Sequence, residues 1–123
     1  MQLVLPNPDF IYPNGPDFYG FGAAAFVDIL EQALVRLHGP HEALVASKLG
    51  KPYSPIFTEA VRRAGTSDAV MIGDQLETDI RGAYGAGIDS AVVTTGINRR
   101  TESEEFEEVA DELTPRYILA SLI

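Results

Sequence analysis

The chain has 123 residues, of which 46% are hydrophobic, and its 9 basic and 18 acidic side chains give a formal charge of −9. This length predicts one modest domain. The acidic balance argues against a nucleic-acid binder and against docking on anionic membranes, because both need a positively charged surface. The sequence has no cysteine, which excludes disulfides, thiolate nucleophiles and cysteine-based zinc sites.

The first ten residues, MQLVLPNPDF, have neither the basic start nor the long apolar stretch of a signal peptide. No apolar run approaches the ~20 residues that a membrane-spanning helix requires. We therefore expect a cytoplasmic protein with no membrane partner.

The first half of the chain predicts a short strand, a loop and a long helix. Residues 3–5 are an apolar run closed by prolines, which indicates a buried strand, and a loop continues through residues 13–16. From residue 23 to residue 37 apolar side chains recur at helical spacing, and Gly39 and Pro40 end the pattern. A brief strand over residues 43–46 is a weaker prediction.

Aromatic residues crowd the early loop, and two explanations are open. They could line the mouth of a substrate site, or they could pack within the loop, which we favour because aromatic rings bury large areas wherever they find cover. The residues are Phe10, Tyr12, Phe18, Tyr19 and Phe21.

The second half begins with a predicted helix. Ser54 is a typical N-cap because its hydroxyl can bond a free N–H, and Pro55 suits the first turn because it has no N–H to lose. Apolar residues from Ile56 to Ala64 form one face, and Gly65 supplies a left-handed end.

Two apolar runs with a helix between them follow. Residues 69–72 and 90–95 are rich in strand-forming residues, and residues 77–87 form the intervening helix. This order predicts a right-handed βαβ unit with parallel strands. An acidic helix around Phe106 and Val109 and a short strand or turn at residues 117–118 complete the chain.

Three glycines in the 77–87 segment, Gly82, Gly85 and Gly87, have the order GxxGxG and not the GxGxxG order of a dinucleotide site. They follow the start of a helix, whereas the glycines of a dinucleotide site follow a strand. Close helix packing is therefore the better explanation.

Two carboxylates stand where ligands bind in an open parallel sheet, at the carboxyl end of a strand. Asp74 follows the 69–72 strand, and Asp79 lies five residues later, near the start of the next helix. Such a pair can hold Mg²⁺, which prefers oxygen ligands. Thr78 or Asp79 could equally be a plain helix cap. Lys51, in a Gly-Lys-Pro turn, could neutralise a phosphate or be a solvated surface charge.

Several short motifs in one order resemble the haloacid dehalogenase superfamily. Within it, the chain is most similar to the sugar-phosphatase and p-nitrophenyl-phosphatase-like branch, which carries a large cap domain. The resemblance extends over residues 3–122. The motifs are Asn7-Pro8-Asp9, Gly50-Lys51-Pro52, the string VMIGDQLETDI at residues 70–80, Gly82-Ala83, Ala86-Gly87-Ile88-Asp89-Ser90 and Thr95-Gly96-Ile97.

The resemblance implies an α/β fold, a three-layer sandwich around a parallel sheet, and a Mg²⁺-dependent phosphatase. Such enzymes hydrolyse small phosphorylated metabolites through an aspartyl-phosphate. In this scheme Asp74 is a metal ligand, Asp79 is the second acidic residue of the metal and catalytic site, and Lys51 offsets charge on the phosphate. Asn7 and Asp9 would join Lys51 in binding the substrate.

The family's nucleophile motif, DxDGT, occurs nowhere in the sequence, and neither does a cap domain. We therefore predict one partial core domain over residues 1–123, without the nucleophile strand that the family places between the 3–5 and 70–72 strands. A lysine and two carboxylates without a nucleophile lose the covalent route, so we expect the chain alone to be inactive. The alternative is a noncatalytic interaction module that completes its sheet with another chain or forms a homo-oligomer.

Overall fold

The computed structural model describes residues 2–15, 18–41, 45–95 and 110–122. The chain divides into two compact units, residues 1–50 and residues 51–123, and each is treated by itself. The prediction of a single partial core domain stays a prediction. None of the helices in the described residues is long and apolar enough to cross a membrane.

Seven strands, three α-helices, one π-helical turn and one 3-10 turn make up the described residues. In chain order they are β1 (Val4–Leu5), β2 (Ile11–Pro13), β3 (Tyr19–Phe21), α1 (Ala23–His38), β4 (Ser47–Lys48), α2 (Ser54–Ala64), β5 (Val70–Gly73), the π turn (Leu76–Ile80), α3 (Arg81–Ala86), β6 (Asp89–Val93), the 3-10 turn (Asp111–Leu113) and β7 (Tyr117–Leu119).

The first unit is built on β1, β4 and α1. Strands β1 and β4 pair in parallel, and Leu5, Val27 and Ala46 form a small buried core. Helix α1 ends at His38, and Gly39 after it has a φ of 80° and a ψ of 169°, a positive-φ conformation that glycine tolerates. The strand predicted over residues 43–46 is wrong in its position: β4 pairs with β1 at residues 47 and 48, and residues 42–44 lie outside the described range.

The aromatic segment is an antiparallel hairpin and not the predicted loop. Ile11 pairs with Phe21 and Pro13 with Tyr19, and the N–H of Asn14 donates to the carbonyl of Phe18 across the turn. The expectation that these aromatic side chains are buried within the segment is also wrong. All five are at least half exposed, because a two-stranded ribbon has no second layer of its own to cover them.

The second unit contains the βαβ pattern. Strands β5, β6 and β7 form one parallel sheet in that order, with Ile72 beside Ala91 and Ala91 beside Tyr117. Leu76 and Ile80 of the π turn pack on Val92 of the central strand and form the buried core. The α/β fold class is confirmed, and the three strands of this sheet lie within one to two residues of their predicted positions.

One edge of this sheet is open. Among the described strands, β5 pairs with β6 alone, and the side chains of Val70 and Ile72 are 48% and 47% exposed. An unpaired apolar edge of this kind favours association with a further strand. It is the edge at which the family resemblance places the nucleophile strand.

Helix α2 begins one residue earlier than predicted, so the assignment of Ser54 as its N-cap is wrong. Tyr53 has the extended conformation of an N-cap, Ser54 is already helical, and Pro55 lies within the first turn. The end of the helix is as predicted, since Gly65 is left-handed with φ of 70°.

The predicted helix over residues 77–87 is present but begins as a π turn. Its first five residues, Leu76–Ile80, form the π turn, α3 continues to Ala86, and Gly87 closes it with φ of 67°. Close packing explains Gly82, because a Cβ there would overlap the ring of Phe57 on α2. It does not explain Gly85, around which there is open space. The predicted acidic helix around residues 106 and 109 lies outside the described residues.

We predict that Gly82→Ala destabilises the chain by about 1–2 kcal/mol, because the ring of Phe57, which is only 4% exposed, has to move to admit a methyl group. Gly85→Ala in the same helix is the matched control and is expected to be neutral or up to ~1 kcal/mol stabilising. Urea unfolding of both variants measures the difference. Equal stability of the two variants would contradict the packing role of Gly82.

Candidate functional site

The site is organised around the carboxylate of Asp79. This side chain is 1% exposed and belongs to the π turn, which begins at Leu76, after the two residues that follow β5. Buried carboxylates are rare in proteins unless their oxygens are paired with donors. Both oxygens of Asp79 have such donors.

One oxygen of Asp79 accepts hydrogen bonds from the main chain at the end of β5. The N–H groups of Asp74 and Gln75 donate to Oδ2 at 3.0 and 3.1 Å. These N–H groups lie at the start of a helix, where they have no partner within the helix and where a negative charge is favoured. Asp79 therefore caps the start of the helix, which was one of the two roles open from the sequence. The same hydrogen bonds fix the position of the Asp74 main chain.

The other oxygen of Asp79 binds Lys51. The ammonium group of Lys51 donates to Oδ1 at 2.5 Å. The lysine side chain is 36% exposed, whereas the side chain of Asp79 is buried. Lys51 is thus held at its tip by a buried anion and keeps one side open to solvent. The interpretation of Lys51 as an unattached, solvated charge is wrong.

Gly73 makes room for this arrangement. A Cβ on Gly73 would overlap the carboxylate of Asp79, so any other residue would displace that carboxylate from the end of β5. The π turn contributes as well, because its wider ring lets both Asp79 and Ile80 direct their N–H groups at the carbonyl of Gln75, at 2.9 and 3.4 Å.

The structure brings three of the five predicted site residues together. Lys51, Asp74 and Asp79 meet at the carboxyl end of β5 in the second unit. Asn7 and Asp9 lie in the first unit, where the side chain of Asn7 accepts a hydrogen bond from the N–H of Asp9 at 3.2 Å. Their part in binding a substrate stays a prediction.

The sequence interpretation missed one component of the site, the main-chain N–H of Gln75. A main-chain donor cannot be identified from the type of any side chain. The five-residue spacing of Asp74 and Asp79 could have indicated it, because at this spacing the Asp79 side chain can reach the amides that precede its own helix. The hydroxyl of Thr78 in the same turn is buried without a hydrogen-bond partner, so it is not the helix cap.

The pair of acidic residues at this site fits the usual coordination of Mg²⁺ in enzymes. Mg²⁺ is bound by one or two carboxylates together with water and substrate phosphate, and not by a full cage of protein ligands. Asp74 and Asp79 are the two acidic residues at this end of β5, where the N–H of Asp74 donates to Asp79 and Lys51 pairs with the same carboxylate. In the parts of the chain that the structure describes, no group of three or more His, Cys, Asp or Glu residues is placed to hold a metal ion by itself.

Comparison with known proteins gives a consistent result. A family model described as HAD-hydrolase-like matches residues 48–123, which is more than half of the chain. D-glycerol 3-phosphate phosphatase of Mycobacterium tuberculosis is 42% identical over 69 residues, 56% of this chain. Glyceraldehyde 3-phosphate phosphatase of Methanopyrus kandleri is 37% identical over 87 residues, 65% of this chain.

Solved structures agree with these relatives. The crystal structure of glycerol phosphate phosphatase from Mycobacterium tuberculosis in complex with magnesium is 30% identical, and its TM-score is 0.70 over 95% of this chain. The chain spans 32% of that protein, and 19% and 37% of the two curated relatives. The similarity therefore extends over most of this chain but over a minor part of each relative.

We predict that Asp79→Ala destabilises the chain by on the order of 3 kcal/mol, because it leaves the ammonium of Lys51 and the N–H groups of Asp74 and Gln75 without their acceptor. Asp68→Ala, at an exposed acid in the same unit, is expected to change stability by less than about 0.5 kcal/mol. Thermal or urea unfolding measures both. A variant at position 79 as stable as the Asp68 control would show that the buried carboxylate is not structurally required.

Proposed function

Because the chain belongs to the haloacid-dehalogenase-like hydrolases, we propose that it supplies the metal- and phosphate-binding part of a Mg²⁺-dependent phosphatase that acts on a small phosphorylated metabolite. The observation that carries the proposal is the Lys51–Asp79–Asp74 arrangement at the end of β5. Relatives named as phosphatases of glycerol phosphate and glyceraldehyde phosphate support the substrate class.

Each residue has a role that its contacts favour. Asp74, at the open end of the strand, is the proposed direct ligand of Mg²⁺. Asp79 has both oxygens engaged by protein donors, so we assign it to positioning Lys51 and Asp74 and to ordering the water around the metal. The ammonium of Lys51 can donate a hydrogen bond from its exposed side to a phosphate oxygen.

When bound, Mg²⁺ supplies charge neutralisation for a phosphoryl group. The chain's own residues add what phosphoryl transfer chiefly needs, which is positioning and opposite charge. Lys51 is suited to this because the pairing with Asp79 fixes the direction of its side chain before a substrate arrives. The nucleophilic aspartate that the family uses is not supplied by these residues, so catalysis by a whole protein rests on a further segment.

An interaction module remains the second candidate, and one observation favours it. Strand β5 pairs with β6 alone among the described strands, and Val70 and Ile72 stay half exposed beside that edge. A complementary chain that adds a strand there would cover both side chains. A fixed complex in native mass spectrometry, without phosphatase activity and lost in Ile72→Lys, would favour this function.

The metal site is tested by adding Mn²⁺, a paramagnetic substitute for Mg²⁺ with the same preference for oxygen ligands, to the ¹⁵N-labelled chain. We expect selective broadening of the amide signals of residues 73–75, and at least a tenfold weaker effect in Asp74→Asn. Asp68→Asn is the control and should behave as the parent chain. Broadening that is unchanged in Asp74→Asn would contradict the assignment of Asp74.

For hydrolysis, we predict that the 123-residue chain with Mg²⁺ releases negligible product from p-nitrophenyl phosphate, since no described residue at the site is a nucleophile in the family's arrangement. The assay is read against the same chain carrying Asp74→Ala or Lys51→Ala. Turnover by the parent chain that both substitutions abolish would overturn the prediction that the chain is inactive alone.

A further inference from the structure

The turn of the β2–β3 hairpin contains an asparagine followed by a glycine. Asn14 and Gly15 come directly after β2, and both residues are exposed. An asparagine is chemically vulnerable at such a position, because the main-chain nitrogen of the next residue can attack the carbon of its side-chain amide. The turn is therefore a candidate site of spontaneous modification.

The attacking nitrogen belongs to Gly15, and the fold requires a glycine there. Its φ is 112°, a conformation that residues with a Cβ rarely adopt, so the turn selects glycine at this position. Among the described residues, a Cβ placed on Gly15 would meet only a ring carbon of Phe18, at 3.9 Å. Because the turn needs a residue without a side chain, the nitrogen of that residue is also unhindered.

The turn does not have to open for the attack to occur. The N–H of Asn14 donates to the carbonyl of Phe18 at 2.7 Å and holds the two strands together at this end. The atoms that would form the new ring are the side chain, Cα and carbonyl carbon of Asn14 and the nitrogen of Gly15. None of them takes part in that hydrogen bond, so the folded hairpin can react with its closing contact intact.

The other asparagine that the structure describes cannot react in this way. Asn7 is also exposed and lies in the same unit, but Pro8 follows it, and proline has no N–H to lose. The side-chain oxygen of Asn7 also accepts a hydrogen bond from the N–H of Asp9 at 3.2 Å. The third asparagine of the sequence, Asn98, precedes an arginine. The residue that follows therefore distinguishes Asn14 from both.

We propose that Asn14 is a site of spontaneous deamidation through a cyclic imide. The nitrogen of Gly15 loses its proton and bonds to Cγ of Asn14, the C–N bond of the side-chain amide breaks, and the amide nitrogen leaves as ammonia. One water molecule then opens the ring. Opening at Cγ gives aspartate, whereas opening at the main-chain carbonyl carbon gives isoaspartate, in which the main chain runs through Cβ and Cγ.

Each product changes the hairpin in a defined way. Both replace a neutral amide by a carboxylate, so the formal charge of −9 becomes more negative by one. Isoaspartate also adds one methylene to the main chain between Pro13, which pairs with Tyr19, and Gly15. Because the register of a hairpin depends on the length of its turn, we expect the isoaspartyl form to weaken the pairing of β2 with β3.

Peptide mapping by mass spectrometry tests the proposal, after incubation of the full chain in mildly alkaline buffer, which favours loss of the Gly15 proton. We expect the amide of Asn14 to be lost at least roughly ten times as fast as the amides of Asn7 and Asn98 in the same sample. Both products are expected, and an isoaspartyl methyltransferase labels only the isoaspartyl form. Asn14→Gln is the matched variant and should stay unlabelled at that residue, because its amide carbon lies one bond farther from the nitrogen.

Circular dichroism shows whether Asn14→Gln is folded, and the comparison of Asn14 with the other two asparagines needs no variant. Retention of the Asn14 amide in the folded chain would overturn the proposal, whether or not the chain unfolded in urea reacts. So would a purely aspartyl product, which direct hydrolysis gives, or equal loss at Asn14 and Asn98. The hairpin lies in the first unit and the Lys51–Asp79 site in the second, so none of these results bears on the proposed function.

Discussion

The site depends on a single buried carboxylate that must satisfy two different demands. Asp79 accepts hydrogen bonds from the main chain at the end of β5 with one oxygen and binds the ammonium of Lys51 with the other. The first contact holds the start of the helix against the strand, and the second holds a cation beside it. Neither contact is available unless position 73 is a glycine, because a side chain there would occupy the space of the carboxylate.

The Asp79 carboxylate therefore stabilises the fold and positions the residues of the proposed site at the same time. A buried charge costs free energy unless hydrogen bonds and an opposite charge compensate it. Here the compensating groups are the ones that the proposed reaction needs: the lysine for a phosphate and the strand end that carries Asp74. The helix-cap and active-site interpretations of Asp79 are therefore not exclusive, although spacing along the sequence presented them as alternatives.

The sequence predicted those parts of the fold that local chemistry specifies. Gly39, Gly65 and Gly87 follow the ends of their helices with positive φ, and the apolar run before Asp74 is the strand β5. It also identified Lys51, Asp74 and Asp79, but through the order of the motifs and not through any one of them.

The remaining features depend on contacts that a local pattern does not contain. The π turn arises where the carboxylate of Asp79 reaches back to the strand end, and no residue preference marks it. The hairpin was missed because prolines at residues 13 and 16 suggest a loop, whereas Pro13 is itself a strand residue that pairs with Tyr19. Exposure of the aromatic side chains is a property of the surrounding layers, so composition alone suggested the opposite.

The separation of contacts along the chain has a consequence for the order in which the site assembles. Asp74, Gln75 and Asp79 lie within six residues, so their hydrogen bonds require only a short loop closure, an event of about 10–100 ns for ten residues. Lys51 lies 28 residues away from Asp79, so their contact closes a much longer loop. The acidic half of the site can thus form through local contacts alone, whereas its pairing with Lys51 carries the greater entropic cost of closing the longer loop.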